Sequence, residues 1–318
     1  MNTGLLSVVM PVYNETNIAV GVKRVMSVLE AAGIPHEIIL VDDGSKNDSF
    51  NQISDLALQY DNVIAIGLSR NFGKEHALCA GLDNVNGDCC ICMDSDMQHP
   101  PEYIPEMYRL WKDEHYEVVE GIKKARIKES ILYRLCAKTF YNVLNKMSGI
   151  DLQNASDFRL LDREALEAWK SMPEKVPFFR GMSSWIGFRR TQVIFEVEER
   201  EFGETKWSLR GLIRLAIDAT TSYSSIPLYF STVFGALFLI FFLIMFVQTL
   251  YMKIMGYAQD GFTTVIILQL IIGAITMINI GIIGIYIKKI YTETKGRPRY
   301  IIRKIITKDY YKKGGSDQ

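Results

Sequence analysis

The chain is 318 residues long, more than one hydrophobic core usually serves, and its 36 Lys and Arg balance 36 Asp and Glu. That neutrality gives no reason to expect a nucleic-acid partner, while a mean hydropathy of +0.07 means that apolarity is concentrated somewhere in an otherwise polar chain. The five cysteines (Cys79, Cys89, Cys90, Cys92 and Cys136) are odd in number and lack zinc-like spacing, which argues against a disulfide scaffold or a zinc site.

No apolar run follows Met1, so no cleaved signal peptide is expected. An apolar strand from Leu6 ends in a Pro11-Val-Tyr13-Asn-Glu15 turn. Glu37–Ser45 repeats the design, with an apolar strand, the pair Asp42 and Asp43, and a Gly turn; Ser45 is then expected to cap a helix, with Asp48 three residues on. A third strand, Val63–Leu68, runs through Ser69–Lys74 into a helix reaching Leu82. The buried-strand pattern from Asp88, in which Cys89, Cys90 and Cys92 serve as small apolar residues, ends in Met93-Asp-Ser-Asp-Met-Gln98. Asp94 and Asp96 alternate along an extended chain, so a turn at Ser95 is needed before both face one cation. Their hard oxygens suit Mg²⁺ or Mn²⁺, which keep positions open for substrate phosphates. His99, beside them, is assigned a structural role. Strands thus alternate with helices, and acidic and polar groups gather at the strands' carboxyl ends, where open α/β sheets bind ligands.

Beyond residue 130, Ile131, Leu132, Leu135, Phe140, Val143, Leu144 and Met147 line one side of a helix, and Leu209, Leu212, Ile213, Ala216 and Ile217 form a second apolar face. Both are candidates for helices lying in a membrane interface. Pro227–Met252 and Gly261–Ile287 contain no charged residue. Each exceeds the ~20 residues that cross a ~30 Å hydrocarbon core. Ser231 and Gly235 in the first span, and Gly273, Gly281 and Gly284 in the second, mark close helix packing, and a homo-oligomer is expected. From Lys288 onward, ten Lys or Arg face three acids, which puts this tail and both termini in the cytosol. The expected division is a catalytic domain over 1–205, a juxtamembrane helix over 206–226, two spans over 227–288 and a basic tail over 289–318.

The motifs VVMPVYNE, VDDGS, LSRNFGKEHALCAGL and MDSDMQHPPE resemble glycosyltransferase family 2, the inverting GT-A fold. Asn154–Arg163 and Glu199–Ser208 narrow the resemblance to the bactoprenol glucosyltransferases and, more distantly, the dolichol-phosphate mannose synthases. The likeness extends over nearly the whole chain. It implies an α/β, Rossmann-like GT-A domain followed by interfacial and transmembrane helices. It also implies a donor site including Pro11, Tyr13, Glu15, Asp42, Asp43, Lys74 and Asp94, with Asp42 and Asp43 at the base and ribose. Asp94, Asp96 and Gln98 would hold the metal, with Asp96 also catalytic. Asp157 falls where a catalytic base is usually proposed; a carboxylate beside a phosphate dianion is repulsive, so orienting the sugar is the alternative role. Arg126, Arg134, Arg200, Lys206 and Ser208 are assigned to the acceptor phosphate, since cations and a hydroxyl match its oxygens.

The expected reaction is inverting transfer of a hexose, glucose from UDP-glucose, to undecaprenyl or another polyprenyl phosphate at the cytosolic face of a bacterial inner membrane. N-acetylglucosamine, galactose and mannose remain alternatives, because loops read the hydroxyls. Processive family 2 synthases typically carry Gln-x-x-Arg-Trp, which the stretch Phe179–Gly187 lacks. A catalytically silent scaffold or flippase subunit is the non-enzymatic rival, and the intact acidic motifs argue against it.

Overall fold

The structure, a computed structural model, describes residues 4–124, 155–196, 226–256 and 261–308. These fall into two compact units: 4–124, 155–196 and 297–308 form the first, and 226–256 with 261–296 the second.

The first unit is an eight-stranded sheet with helices on both faces. In chain order its elements are β1 (Leu6–Val12), α1 (Ile18–Ala31), β2 (His36–Asp42), α2 (Ser49–Gln59), β3 (Val63–Leu68), α3 (Lys74–Asp83), β4 (Cys89–Cys92), a 3₁₀ turn (Pro101–Tyr103) and α4 (Ile104–Lys112). There follow β5 (Val118–Lys123), β6 (Ala155–Asp162), α5 (Arg163–Ser171), α6 (Phe179–Trp185), β7 (Arg190–Phe195) and, after the second unit, β8 (Ile302–Ile306). The strand order is β7-β5-β6-β4-β1-β2-β3-β8.

The β1 residues are buried throughout because both faces of this strand are covered. Side chains alternate across it: Val8 and Met10 join α1, α2 and α4, whereas Val9 joins α3, α5 and α6. Cys89 and Cys92 divide between the same two cores and are fully buried, as their small-apolar reading requires. Burial also holds their thiols protonated by raising both well above the ordinary cysteine range.

Parallel pairing of β4, β1, β2 and β3 brings the ends Cys92, Val12, Asp42 and Leu68 to one edge. Strand β6 runs antiparallel to β4 and β5, so its amino end, with Asp157, and the carboxyl end of β5, with Lys123, reach that same edge. The connecting loops therefore converge there.

Two sequence expectations change. Helix α2 starts at Ser49, after Asp48, and Ser45 is not its cap. The Ser45 hydroxyl instead accepts the Asn14 N–H at 2.9 Å, because the loops after β1 and β2 lie side by side. The basic segment after residue 288, expected to be a tail, returns to the first unit. Its Ile302–Ile306 stretch pairs antiparallel with β3 and closes that sheet edge.

The second unit contains α7 (Ile226–Ile254) and α8 (Phe262–Thr294), 29 and 33 residues long. Within them Gly235–Ile254 and Ile271–Thr294 are long and apolar enough to cross a membrane. Among the described residues, a Cβ placed on Gly235, Gly273, Gly281 or Gly284 meets no atom within 4 Å. The two expected interfacial helices lie outside the described residues.

Candidate active site

The loops after β1 and β2 are bound to each other before any ligand is considered. Asn14 sits at φ 54°, a left-handed conformation that asparagine tolerates well. From there its Oδ1 accepts the Lys46 N–H at 2.9 Å, while the Asn47 amide and the Ser49 hydroxyl both donate to the Glu15 carbonyl. Gly44, at φ 64°, presses on the third loop: a Cβ there would stand 2.4 Å from the Arg70 carbonyl carbon and 2.6 Å from the Asn71 nitrogen. Backbone atoms cannot yield as a side chain can. Gly44→Ala should therefore cost about 2–4 kcal/mol of stability, read as a lowered thermal midpoint.

Asp43 fastens that third loop. Its Oδ1 accepts the Phe72 N–H at 2.7 Å and its Oδ2 the Gly73 N–H at 2.8 Å. Burial raises its carboxyl above the ordinary value, and the two N–H groups oppose the rise. Asp42 accepts the Ser45 N–H through Oδ2, whereas its buried Oδ1 has no hydrogen-bond partner among the described residues. An unpaired buried acceptor of this kind is a place for a ligand donor.

Between these loops opens a cleft of about 330 Å³, lined by Pro11, Tyr13, Glu15, Asp43, Asn71, Lys74, Asp94 and Asp96 among others. The expected turn is present at Ser95 and Asp96, and Met97 at φ 56° completes it. Asp96 accepts the Gln98 backbone N–H at 3.1 Å, so Gln98 supports the acidic turn through its main chain. His99 is buried, accepts the Asp94 N–H on Nδ1 at 3.0 Å and stacks on Phe158 at 5.3 Å. Burial lowers its imidazole to about 4, so it is neutral and positions Asp94 as a fixed acceptor.

Charge is concentrated at the cleft's inner end. The Lys74 ammonium lies 2.5 Å from Asp94 and 2.5 Å from Asp157. Asp157, 3% exposed, is gripped on its other side by Arg180, at 2.6 Å through Nε and 3.1 Å through Nη2. Burial disfavours the Asp157 charge, but Lys74 and Arg180 overcome it and hold the carboxyl well below the usual carboxylate range. For Lys74, burial acts downward and the carboxylates of Asp94 and Asp157 outweigh it, so the ammonium stays charged.

Next to Lys74, Glu75 accepts the Phe179 N–H at 2.8 Å. Burial, reinforced by the Asp157 charge, pushes its carboxyl up to about 7. A carboxyl raised from 4.5 to about 7 binds its proton more tightly folded than unfolded, so its cost is absent below the ordinary value, grows between 4.5 and about 7, and is constant above. Glu75→Gln keeps the acceptor for Phe179 and removes that cost. It should flatten the fall in thermal midpoint between pH 5 and pH 8, by on the order of 2 kcal/mol at the alkaline end.

Seven residues assigned from sequence (Pro11, Tyr13, Glu15, Asp43, Lys74, Asp94 and Asp96) line one cleft, with Asp157 in contact through Lys74. Arg126, Arg134, Arg200, Lys206 and Ser208 lie outside the described residues. Arg180 and Lys123 were not singled out. Lys123 closes β5 at the same edge, and burial lowers its ammonium, with Arg180 acting in the same direction and Asp94 and Asp96 opposing. The available signals were a lysine ending an apolar strand and an arginine four residues before Ser184, both ordinary features until the sheet brings them together.

A model of glycosyl transferase family 2 matches residues 7–169. An uncharacterized glycosyltransferase of Synechocystis sp. is 37% identical over 303 residues, 93% of this chain and 94% of the relative. A prophage bactoprenol glucosyl transferase homolog of Escherichia coli is 36% identical over 306 residues, covering 94% of this chain and 99% of the relative. Among solved structures, a Mycobacterium tuberculosis glucosyl-3-phosphoglycerate synthase in complex with Mn²⁺, UDP-Glc and phosphoglyceric acid covers 69% of this chain and 78% of its own, at 21% identity and a TM-score of 0.48. That likeness is too distant to bear on ligands or mechanism. An acidic turn at the carboxyl edge of a mixed sheet, a matching domain model and relatives aligned almost end to end agree: the chain belongs to glycosyltransferase family 2.

Proposed function

We propose that the protein transfers a hexose, glucose from UDP-glucose, to undecaprenyl or a related polyprenyl phosphate, inverting the anomeric centre. The observation that carries this reading is the single cleft in which Tyr13, Glu15, Asp43, Lys74, Asp94 and Asp96 meet, in a chain that also has two helices long enough to cross a membrane. Relatives at 35–36% identity named as bactoprenol glucosyl transferases or their homolog support the lipid acceptor and the sugar.

The donor set fits a divalent metal. Among the described residues no group of three or more His, Cys, Asp or Glu is arranged to hold an ion. Asp94 and Asp96 would supply hard oxygens, and substrate phosphates and water would complete the shell, as Mg²⁺ and Mn²⁺ prefer. Lys74, a cation already seated against Asp94, supports the reading that this bay is built for positive charge. The metal's contribution is Lewis-acid neutralisation of the diphosphate leaving group.

The chain's own groups do the rest. Asp42, through its unpaired Oδ1, and the Asp43 loop hold the base and ribose. An acceptor phosphate oxygen attacks the anomeric carbon from the face opposite the diphosphate; the new C–O bond forms as the old one breaks, and the nucleoside diphosphate leaves with the electron pair. With a second pKa near ~6, the acceptor phosphate is mostly dianionic at neutral pH and requires no base. Asp157 is accordingly an orienting counter-charge: Lys74 and Arg180 occupy both its oxygens and keep it ionised. Lys123 stands at the edge the acceptor phosphate would approach, and Arg126, Arg134, Arg200, Lys206 and Ser208 are assigned to that phosphate by the family resemblance. The basic residues after Lys288 support a cytosolic catalytic unit in a two-span membrane protein, and the same reading includes a homo-oligomer.

The test is incubation of the purified protein with undecaprenyl phosphate and, in turn, UDP-glucose, UDP-galactose, UDP-N-acetylglucosamine and GDP-mannose, followed by mass spectrometry of the lipid. A hexose adduct from UDP-glucose is expected. An adduct from another donor would replace only the sugar, and no adduct from any would sink the lipid acceptor.

A further inference from the structure

We propose that Arg299, on the segment that follows the second long helix, is a positioning residue for the Arg180–Asp157 clamp. The inference rests on the reading of that clamp as part of the active centre.

Arg180 is carried by α6, a helix of 7 residues preceded by the connection from Met172 to Phe178. So short a helix has little stability of its own, and its place must be set by what holds the connection. Side chains from three separate elements hold it by its backbone. Arg299 donates from Nε to the Glu174 carbonyl at 2.8 Å and from Nη2 to the Met172 carbonyl, with its guanidinium 5.9 Å above the buried Trp169 ring. His76 meets the Lys175 carbonyl at 3.3 Å, and Glu75 accepts the Phe179 N–H. From the sheet, buried Arg159 donates to the Arg180 carbonyl at 3.1 Å and to the Ser183 hydroxyl while paired with Glu120.

The first turn of α3 and this connection are thus one assembly. Lys74 faces the cleft and Asp157, while the next two residues hold the strap that delivers Arg180 to the same carboxylate. Arg299 is the holder furthest away in sequence and the one with two carbonyls in its grip. Its own position is fixed by the two residues that follow it: the Ile301 carbonyl accepts the Ser69 N–H at 2.9 Å, and the Tyr300 hydroxyl donates to Asp83 at 2.6 Å. The planar guanidinium can serve two carbonyls at once, whereas a lysine would serve them as a point charge. Without Arg299 two carbonyls lose charged donors, and the strap that delivers Arg180 keeps the His76 and Glu75 contacts but loosens at its start.

The test uses full-length protein and the sugar nucleotide that gives the highest rate in the panel above. Arg299→Ala should lower kcat by about tenfold or more with donor KM little changed, because misplacement of a catalytic group costs rate more than ground-state binding. Arg299→Lys should fall between, and millimolar guanidinium should restore part of the Ala variant's rate. Lys308→Ala, which removes the ion pair to Asp61 at the far end of the same segment without touching the strap, should keep the wild-type kcat. An unchanged kcat in both Arg299 variants overturns the proposal, as does a loss that Lys308→Ala reproduces. If Arg299→Ala fails to fold, the Lys variant decides by the same criteria. Wild-type transfer by both Asp157→Asn and Arg180→Ala would instead show the clamp to lie outside the active centre, a different failure.

Discussion

Asp96→Asn should lower turnover by about 10²–10³-fold while the thermal midpoint stays near that of the wild type. A Lewis acid at the leaving diphosphate supplies several kcal/mol of transition-state stabilisation, and each ~1.4 kcal/mol lost is a factor of ten. Asp96 is the better probe of the pair, because Asp94 also carries the Lys74 ion pair and its removal would disturb the cleft for another reason. Asp94→Asn should therefore lose both activity and stability. Purified enzyme stripped with chelator should be inactive and recover with Mg²⁺ or Mn²⁺; full activity in excess chelator would remove the metal from the mechanism.

Asp157→Asn is expected to lose about 10²-fold or more, for electrostatic rather than proton-transfer reasons. The carboxylate lies between two cations, and an amide can accept from one of them while offering no charge to either. The pH dependence separates the two roles. Because Lys74 and Arg180 depress the Asp157 carboxyl, the stabilisation it contributes is present above the ordinary carboxylate range and lost only as pH falls through the lowered value. It does not titrate near neutrality. The acid limb of the rate profile should then belong to the acceptor phosphate, near ~6, and persist in the Asn variant. An acid limb that disappears with Asp157 would make that residue the base.

The parallel half of the fold was legible in the chain because its signals are local. Apolar runs ending in a Pro/Asn turn mark β1 and in acidic turns β2 and β4, Val63–Leu68 is bounded to the residue, and uninterrupted apolar stretches announce α7 and α8. The turn between Asp94 and Asp96 followed from the alternation of an extended chain. Ser45 misled because a serine three residues before an acid looks like a helix cap, while its hydroxyl is taken by Asn14 from a neighbouring loop.

What the tertiary structure decided depends on pairing across long separations. The apolar residues of β7, Val193, Ile194 and Phe195, run consecutively and so give no alternation, and β8 pairs with the open edge of β3 from a segment more than two hundred residues later. Asp157 was marked by resemblance, but its state was not: both partners, Lys74 from 83 residues upstream and Arg180 from 23 downstream, arrive through the sheet. Residue types fix which charges exist. The antiparallel placement of β6 decides which of them meet, and a carboxylate's chemistry is set by what it meets.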